Sequence, residues 1–174
     1  MVKIVQKENS ILRGDAREVP LKEIATPKIK KIISDMKIAL AREEDGVAIA
    51  APQIGVPLRI FVVSGRVAHL TEKLSENELA PEDNIFINPI IKKLSQKKEL
   101  AEEGCLSVRY LYGKVKRSTK ATIEAYDENG LKKTVGASGL LAQIFQHEVD
   151  HLNGVLFTDK AIDVEEIIPP HITK

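Results

Sequence analysis

Two histidines one helical turn apart, His147 and His151, are the residues whose spacing most directly indicates chemistry. They belong to the run His147-Glu148-Val149-Asp150-His151, an H-E-x-x-H pattern inside an apolar segment. On a helix, side chains at positions i and i+4 lie on one face, so both imidazoles could hold one metal ion. Glu148 lies about 100° further round the helix, where its carboxylate could reach water at the ion without being a ligand.

The same pattern also has a purely structural interpretation, namely a helix with two satisfied, half-buried histidines and a glutamate on its surface. Two histidines leave a catalytic site incomplete, because zinc-type sites usually take three protein ligands and a water. The single cysteine, Cys105, is a core residue, a reactive thiol or the missing metal ligand. A lone cysteine excludes an internal disulfide framework and is typical of a reducing compartment.

A second polar candidate, Gln53, ends the small-residue run 46–53 (G-V-A-I-A-A-P-Q). In such a run the backbone can approach another group closely, and Pro52 stops any helix. Gln53 is the one large polar side chain in this apolar setting. Taken alone, it is best explained by a buried turn in which its amide bonds a neighbouring backbone carbonyl.

Local patterns predict the elements that must position these residues. Ser138 is a good N-cap, and Asn153-Gly154 a good C-terminal stop, for the helix that carries the histidines. Thr26 and Pro27 open an amphipathic N-terminal helix that should run to about residues 42–44. Strands are predicted at residues 58–63, 84–94, 97–101, 114–126 and 131–136. The pair Asn88-Pro89 indicates an edge or a bulge, and Asn129-Gly130 a hairpin turn.

Strands therefore dominate the middle of the chain, with one helix before them and one after. This order predicts an α+β fold in which antiparallel sheets surround a buried central helix that carries the H-E-x-x-H run. Residues 4–24 should form an irregular arm, and residues 65–84 an exposed, acid-rich insertion with a short helix near 71–79. We expect residues 1–174 to form a single domain with a short tail at 163–174.

Composition limits the classes of function. Hydrophobic residues make up 43% and charged residues 29%, and the net charge of +1 gives no whole-chain argument for binding nucleic acid or membrane. Residues 92–133 hold eleven Lys/Arg against six Asp/Glu, which is best explained by a solvated sheet face. Because no signal-peptide, transit-peptide or membrane-length apolar pattern is seen, we expect the chain to be cytoplasmic.

Three segments of the chain, in this order and at these separations, resemble the signature motifs of the peptide deformylases. They are residues 46–53, 103–107 (E-G-C-L-S) and 146–152 (Q-H-E-V-D-H-L). The resemblance extends from Leu12-Arg13 to about Phe157 and weakens in the 65–84 insertion and in the tail. It implies that Cys105, His147 and His151 hold one divalent ion. Fe(II) is expected, and Zn(II), Ni(II) or Co(II) are the other ions that the family accepts.

The resemblance implies the reaction as well, which is hydrolysis of the N-terminal formamide of a formyl-methionyl peptide to formate and a free amine. The ion would lower the pKa of its water and polarise the formyl oxygen. Glu148 would take the proton of the water and deliver it to the leaving amine. The amide N–H of Gln53 and the backbone N–H of Leu106 would bind the oxyanion.

Peptide binding is expected beside these groups. Gly104 and residues near Val47 and Ala48 would offer main-chain groups to an extended peptide, as an added strand. An apolar pocket for the methionine side chain would be walled by Val47 together with three residues on the His147 face of the helix, Leu140, Gln143 and Ile144. For these helix residues, plain core packing is the alternative.

Three further features qualify the resemblance. Ala48 stands where the family motif usually has its second glycine, and a Cβ there could narrow the groove or exclude a positive φ. Glu103 and Arg117 resemble a family pair that braces the active-site loop, with a surface salt bridge as the alternative. Residues 163–174 are too short for the long basic C-terminal helix that some members use at the ribosome, so only a transient ribosome association is considered. We expect a monomer with no specific nucleic-acid partner.

Two other functions stay open at this point. One is a different H-E-x-x-H metallopeptidase, such as a zincin protease with another third ligand; the Glu103-Gly104-Cys105 run argues against it. The other is a weakly active, deformylase-like protein that binds formyl-peptide ends or the ribosome. Ala48 and the basic excess in residues 92–133 are its only support.

Overall fold

The computed structural model describes residues 2–71, 79 and 81–168. Its helices and strands are α1 (Pro27–Ala41), β1 (Ala48–Ala50), β2 (Ile60–Val63), α2 (Val67–Thr71), β3 (Asn84–Leu94), β4 (Lys98–Cys105), β5 (Val108–Ser118), β6 (Lys120–Tyr126), β7 (Lys132–Ser138), α3 (Gly139–Leu152) and β8 (Ile162–Glu166). Short 3-10 turns lie at Ser10–Arg13, Leu21–Glu23, Ala51–Ile54 and Phe157–Asp159.

The strands form two antiparallel sheets. The larger has the order β1-β2-β3-β6-β7 and the smaller the order β4-β5-β8. The predicted mixture of antiparallel sheets and few helices, an α+β fold, is therefore confirmed. Within the described residues, no helix is long and apolar enough to cross a membrane.

At β1 and β2 the larger sheet is buried on both faces, and the side chains of each strand alternate between these faces. Phe61 of β2 joins the hydrophobic cluster that contains Phe145 of α3, whereas its neighbours Ile60 and Val62 join the cluster that contains Met36 of α1. α3 therefore lies on one face of the sheet and α1 on the other.

The aromatic residues concentrate on the α3 side of this sheet. The rings of Phe61 and Phe86 stack with centroids 4.7 Å apart, and Phe145 meets Phe86 edge-on at 5.2 Å. Burying one such side chain stabilises the fold by about 1.5–3 kcal/mol. This packing fixes the height of α3 above the sheet and hence the position of the two histidines near its C-terminal end.

The ends of both long helices follow from local chemistry. Thr26 caps α1 by accepting the N–H of Ile29 through its hydroxyl, and the helix ends at Ala41. Ser138 occupies the N-cap position of α3, but its side chain makes no capping hydrogen bond there. Gly154 follows α3 with a φ of +69°, and a Cβ at this glycine would lie 2.7 Å from the carbonyl oxygen of Arg13. The N-terminal arm therefore crosses the end of α3 at a place that only glycine fits.

The prediction of one continuous strand at 114–126 is wrong. The chain changes sheets at Thr119, so that β5 belongs to the smaller sheet and β6 to the larger. Gln146 of α3 explains the corner, because its side chain accepts the N–H of Ser118 at 3.0 Å and donates to the Ser118 carbonyl at 2.9 Å. The N–H and carbonyl of Ser118 are thus hydrogen-bonded by a side chain of the helix and not by a neighbouring strand.

Several side chains of the arm and the first residues of the insertion are buried. Within the predicted irregular arm, Leu12, Val19 and Ile24 are buried. Residues 65–84 do not begin as an exposed insertion, because Gly65 and Val67 are buried and α2 lies at Val67–Thr71. Most of the predicted helix at 71–79 lies outside the described residues, since the structure describes only 71 and 79 of that range.

Strands β4 and β8 also differ from expectation, whereas the irregularity predicted in β3 is found. β4 continues past the predicted end at 101 and reaches Cys105. Ile162–Glu166, which includes the first residues of the tail predicted at 163–174, pairs with β5 as a third strand. The expected irregularity at Asn88-Pro89 is found as a register shift between Ile87 and Ile90, where the Asn88 side chain bonds both the N–H and the carbonyl of Val19.

Candidate active site

One thiol and two imidazoles meet where the end of β4 approaches α3. The ligand atoms of Cys105, His147 and His151 all lie within 4.8 Å of one another, and Cys105 Sγ is 3.2 Å from His151 Nε2. The two imidazole rings pack edge to face with centroids 4.9 Å apart. A thiolate with two imidazoles is a donor set that zinc and ferrous iron both accept, so these residues fit one divalent ion.

A bulge at the end of β4 turns Cys105 toward the helix. The register with β5 shifts between Gly104 and Cys105, so that Cys105 pairs with Val108 across a two-residue turn. The backbone N–H of Ser107 donates to Cys105 Sγ at 3.4 Å, and the Leu106 carbonyl accepts a bond from Gln6. The turn is therefore held from both sides, and the thiol is held with it.

Glu148 is buried beside this cluster, with only 3% of its surface exposed. The interpretation of Glu148 as a surface residue is therefore wrong. Its Oε2 atom has no hydrogen-bond partner among the described residues, and neither has Nδ1 of His151. Burial raises the pKa of the Glu148 carboxyl, although the positive charges of His147 and His151 partly oppose this. A buried oxygen without a partner is rare, and such a group often has a functional role.

Gln53 is buried and is oriented by two hydrogen bonds. Its Oε1 accepts the N–H of Ala50 at 2.8 Å, and its Nε2 donates to Ser107 Oγ at 3.2 Å. Because a backbone N–H can only donate, the amide oxygen must face Ala50 and the amide nitrogen must face the cluster. Nε2 lies 3.6 Å from Cys105 Sγ. Gln53 therefore accepts a bond from a backbone N–H, whereas a bond to a backbone carbonyl was expected. Its amide nitrogen, Nε2, points toward the cluster.

A chain of charged side chains runs from the cluster to the surface. His147 Nδ1 lies 2.9 Å from Glu103 Oε2, and Arg117 binds Glu103 through two bonds of 2.7 and 2.9 Å. Arg117 also donates to Asp150 at 2.6 Å, and Asp150 in turn accepts from Lys160 at 2.7 Å. The side chains of Arg117 and Glu103 are only 7% and 2% exposed, so the surface salt bridge considered for this pair is wrong.

These contacts shift the pKa values of the groups around the cluster. Burial by itself would raise the pKa of Glu103, but its bonds with Arg117 and His147 hold that pKa at about 2. Burial would likewise raise the pKa of the Cys105 thiol, yet His151 and His147 lower it to about 5. Burial opposes the charged form of His147, but Cys105 and Glu103 raise its pKa well above 6.5. The lowered pKa favours the thiolate form of Cys105. Because Nδ1 of His147 is hydrogen-bonded to Glu103, its Nε2 is the nitrogen left to bind a metal ion.

A cavity of about 260 Å³ opens beside the cluster. Its lining includes Glu148, Gln53 and Leu106, together with every residue expected to contact substrate: Val47, Ala48, Gly104, Leu140, Gln143 and Ile144. Gln143 donates to the Glu102 carbonyl at 2.8 Å, which holds its side chain at the wall. The structure thus brings together residues from three separate motifs in one place.

The lining also contains residues that the sequence analysis did not identify, among them Asp45, Arg109, Tyr110 and Tyr112. Tyr112 pairs with Gly104 across the strands, and a Cβ at Gly104 would lie 2.8 Å from the tyrosine ring. The only sequence signal for these residues was their position next to a motif, because Asp45 directly precedes the 46–53 run and the other three follow shortly after the E-G-C-L-S run.

Ala48, the departure from the family motif, sits in β1 opposite Val63 and is 6% exposed. Its backbone does not have a positive φ, since the non-glycine residues found with one are Asn88, Tyr110 and Asp163. The expected conflict between a Cβ and a positive φ is therefore wrong for this chain. An extended backbone accepts alanine without strain.

Comparison with known proteins agrees with the geometry. The family model described as polypeptide deformylase matches residues 1–166. The chain is 43% identical over 164 residues to peptide deformylase 1A, chloroplastic/mitochondrial, of Arabidopsis thaliana, and this match covers 91% of the chain and 61% of that relative. It is 42% identical over 153 residues to peptide deformylase 2 of Clostridium acetobutylicum, covering 87% and 89% respectively. The chain thus spans about three fifths of the first relative's length.

Solved structures are similar as well. The Met-Ala-Ser-bound class I type b peptide deformylase from Acinetobacter baumannii matches with a TM-score of 0.79 and 30% identity, covering 92% of this chain and 98% of that one. The actinonin complex of the Synechococcus elongatus enzyme matches with a TM-score of 0.77 and 30% identity, covering 93% and 79%. The resemblance seen in three short motifs thus extends to most of the sequence and to the backbone, and the chain belongs to the peptide deformylase family.

Proposed function

We propose that the chain is a hydrolase that removes the N-terminal formyl group from formyl-methionyl peptides and releases formate. The observation that carries this proposal is Glu148, whose buried carboxylate has one oxygen with no partner in the described part of the chain, beside a Cys/His/His cluster at the wall of a cavity. The Acinetobacter baumannii relative, in its Met-Ala-Ser complex, holds the peptide that deformylation of formyl-Met-Ala-Ser would leave.

Cys105, His147 and His151 would hold the metal ion, with α3 as the central helix of the site. Fe(II) is the expected ion, and Zn(II), Ni(II) and Co(II) also suit the donor set. When bound, such an ion lowers the pKa of a water and polarises the carbonyl to be attacked. The buried hydrogen bond that His147 Nδ1 donates to Glu103 fixes the orientation of that imidazole and makes it a better ligand.

Glu148 would act as the general base and then as the general acid. Its Oε2 would accept a proton from the attacking water and later donate it to the nitrogen of the departing peptide. A pKa raised by burial suits both steps, because the carboxylate then holds the proton more firmly than an exposed glutamate does. The low polarity of the surroundings also strengthens its interaction with any charge that develops nearby.

Two donors would stabilise the oxyanion. Gln53 Nε2 is directed inward by the bond between its Oε1 and the Ala50 N–H, and the backbone N–H of Leu106 would be the second donor. Such donors matter because they are already oriented before the reaction begins. Ser107, which accepts a bond from Gln53, would be the group that the oxyanion replaces as a partner.

The cavity would bind the methionine side chain. Val47, Leu140 and Ile144 give it an apolar wall, which suits a flexible thioether chain. Main-chain groups near Ala48 and Gly104 would pair with the extended peptide, and the ring of Tyr112 lies where a Cβ at Gly104 would otherwise stand.

Several broader expectations stay predictions. They are a single catalytic domain over residues 1–174, with a short tail at 163–174, a monomeric state and a cytoplasmic location. Association with the ribosome would be transient, and neither membrane nor specific nucleic-acid binding is expected.

The test is formate release from formyl-Met-Ala-Ser by protein prepared anaerobically with Fe(II). We expect turnover on this peptide and none on unformylated Met-Ala-Ser. Cleavage of the peptide bonds of Met-Ala-Ser would instead identify an H-E-x-x-H metallopeptidase. Binding of formyl-Met-Ala-Ser without formate release, in protein with a full complement of metal, would identify a formyl-peptide-binding protein and would refute the proposed activity.

A further inference from the structure

The mouth of the cavity lies between two walls that come from distant parts of the chain. One wall is the loop between α1 and β1, which includes Asp45 and Val47, and the other is the beginning of β5. Arg109 of β5 reaches across and forms ion pairs with Glu43 and with Asp45, the latter at 3.3 Å. Its side chain is 28% exposed, which places these contacts at the rim and not in the core.

The first wall, the loop between α1 and β1, is held by hydrogen bonds from a second arginine, Arg66. Arg66 donates to three backbone carbonyls of this loop and of the end of α1, those of Leu40, Glu43 and Gly46, at 3.3, 3.0 and 3.0 Å. Arg66 therefore binds the backbone of this loop, whereas the carboxylates of Glu43 and Asp45 pair with Arg109. Because Arg66 already satisfies the backbone carbonyls of the loop, the two carboxylates do not compete with them for Arg109.

The second wall is fixed by the C-terminal strand. Ile167 donates its N–H to the Tyr110 carbonyl at 2.7 Å, and Leu111 pairs with Glu166 of β8. Tyr110 has a φ of +66°, a conformation that a non-glycine residue adopts only when its surroundings impose it. Such strained residues cluster at ligand-binding sites. Arg109 directly precedes this residue, so its guanidinium projects from a segment whose backbone is held in place.

We propose that Arg109 is a positioning residue that sets peptide specificity, because its ion pairs with Glu43 and Asp45 fix the distance between the two walls at the rim. The proposal rests on the proposed deformylase function. The methionine pocket is walled by buried residues of α3 such as Ile144, which is 4% exposed, whereas the Arg109 contacts lie at the solvent side. A bound peptide must cross this rim beyond its methionine, so Arg109 would affect the residues that follow methionine more than methionine itself.

The first experiment measures how well the backbone of the two walls is protected from hydrogen exchange, and it does not depend on enzyme activity. Hydrogen exchange of residues 43–48 and 108–112 is compared in the full chain and in the R109Q variant. We expect exchange in both segments to become about fivefold faster or more, because each wall loses a contact to the other. The matched control is K132Q, which removes an exposed ion pair with Glu124 on the larger sheet and should leave both segments unchanged.

The second experiment separates substrate positioning from chemistry. On formyl-Met-Ala-Ser we expect R109Q to raise KM about 3- to 10-fold and to leave kcat within about twofold, a size typical of coupling between parts of a site. On formyl-methioninamide, which has nothing beyond the methionine, KM should stay near that of the wild-type chain. E43Q removes one of the two ion pairs from the opposite wall and should reproduce both effects in part, and the double variant should be no worse than R109Q alone.

The outcomes distinguish this proposal from the proposed function. A wild-type chain without deformylase activity refutes the function, and hydrogen exchange then still tests the contact between the walls. Unchanged exchange in R109Q and E43Q refutes the bridging role. Equal KM changes on the long and the short substrate, or additive effects of the two substitutions, refute the role in specificity.

Discussion

Replacing Arg117 with methionine removes the one guanidinium that holds both Glu103 and Asp150. Glu103 is 5% exposed, so the R117M variant would keep a buried carboxylate that has lost two of its three charged bonds. The pKa of Glu103 is about 2 against an ordinary 4.5, a difference that corresponds to roughly 3 kcal/mol of stability from its partners. Breaking a buried pair by removing one member costs about 3–5 kcal/mol in general.

We therefore expect R117M to lower the free energy of unfolding of the metal-free protein by about 3 kcal/mol at neutral pH, measured by urea unfolding. The sign of the pH dependence follows from the lowered pKa of Glu103. Its contribution is complete above pH 4.5 and is lost as the pH falls toward about 2. The difference between the two proteins should thus be largest near neutral pH and should shrink below pH 4.5.

The same substitution should reach the metal site through His147. Without Arg117, Glu103 holds the imidazole less firmly, and the affinity for Zn(II) should fall about 10- to 100-fold, measured by competition with a chelator. K160M is the matched control, because Lys160 binds the other oxygen of the same Asp150 but is 45% exposed. K160M should lower the free energy of unfolding by no more than about 1 kcal/mol and leave the affinity for Zn(II) unchanged. A loss below about 1 kcal/mol in R117M, or one that stays constant down to about pH 3, would refute the role assigned to this network.

Four further outcomes follow from the site. E148Q should reduce kcat by about 10²–10⁴-fold while the metal content, measured by elemental analysis, stays at one ion per chain. Q53E keeps an acceptor for the Ala50 N–H but removes the donor, so kcat should fall about 10²–10³-fold with little change in KM. Since burial raises the pKa of Glu148, the acid limb of kcat/KM should lie above pH 4.5. In metal-free protein, the thiolate absorbance of Cys105 should be present at neutral pH and disappear on acidification through about pH 5.

The predictions for E148Q and Q53E can each be contradicted by one result, and the Cys105 titration has a control. Wild-type turnover in E148Q would remove Glu148 from the mechanism, and loss of metal in that variant would make it a structural residue. If kcat of Q53E is unchanged, the oxyanion is bound elsewhere. A C105S variant has no thiol left, so any titrating ultraviolet signal that persists in it cannot come from Cys105.

The sequence alone determined the parts of this protein that depend on local geometry. The i, i+4 spacing of His147 and His151 is a property of any helix, so the shared direction of their side chains required no knowledge of the fold. The α+β class followed from strands enclosed by two helices, and the family followed from three short motifs. The inward-facing donor of Gln53 was expected only from the resemblance, since the pattern by itself was better explained by a buried turn.

Tertiary structure decided the contacts between residues far apart in the chain. Glu103 contacts His147, which is 44 positions away in the chain, and Arg109 contacts Glu43, which is 66 positions away. Both contacts arise because packing brings separate elements of the fold together. The break at Thr119 was missed for the same reason, since the side chain that holds it, Gln146, lies on another element. Side-chain type and spacing along the chain name the groups that can do chemistry, whereas their partners depend on how the elements pack, which no local pattern contains.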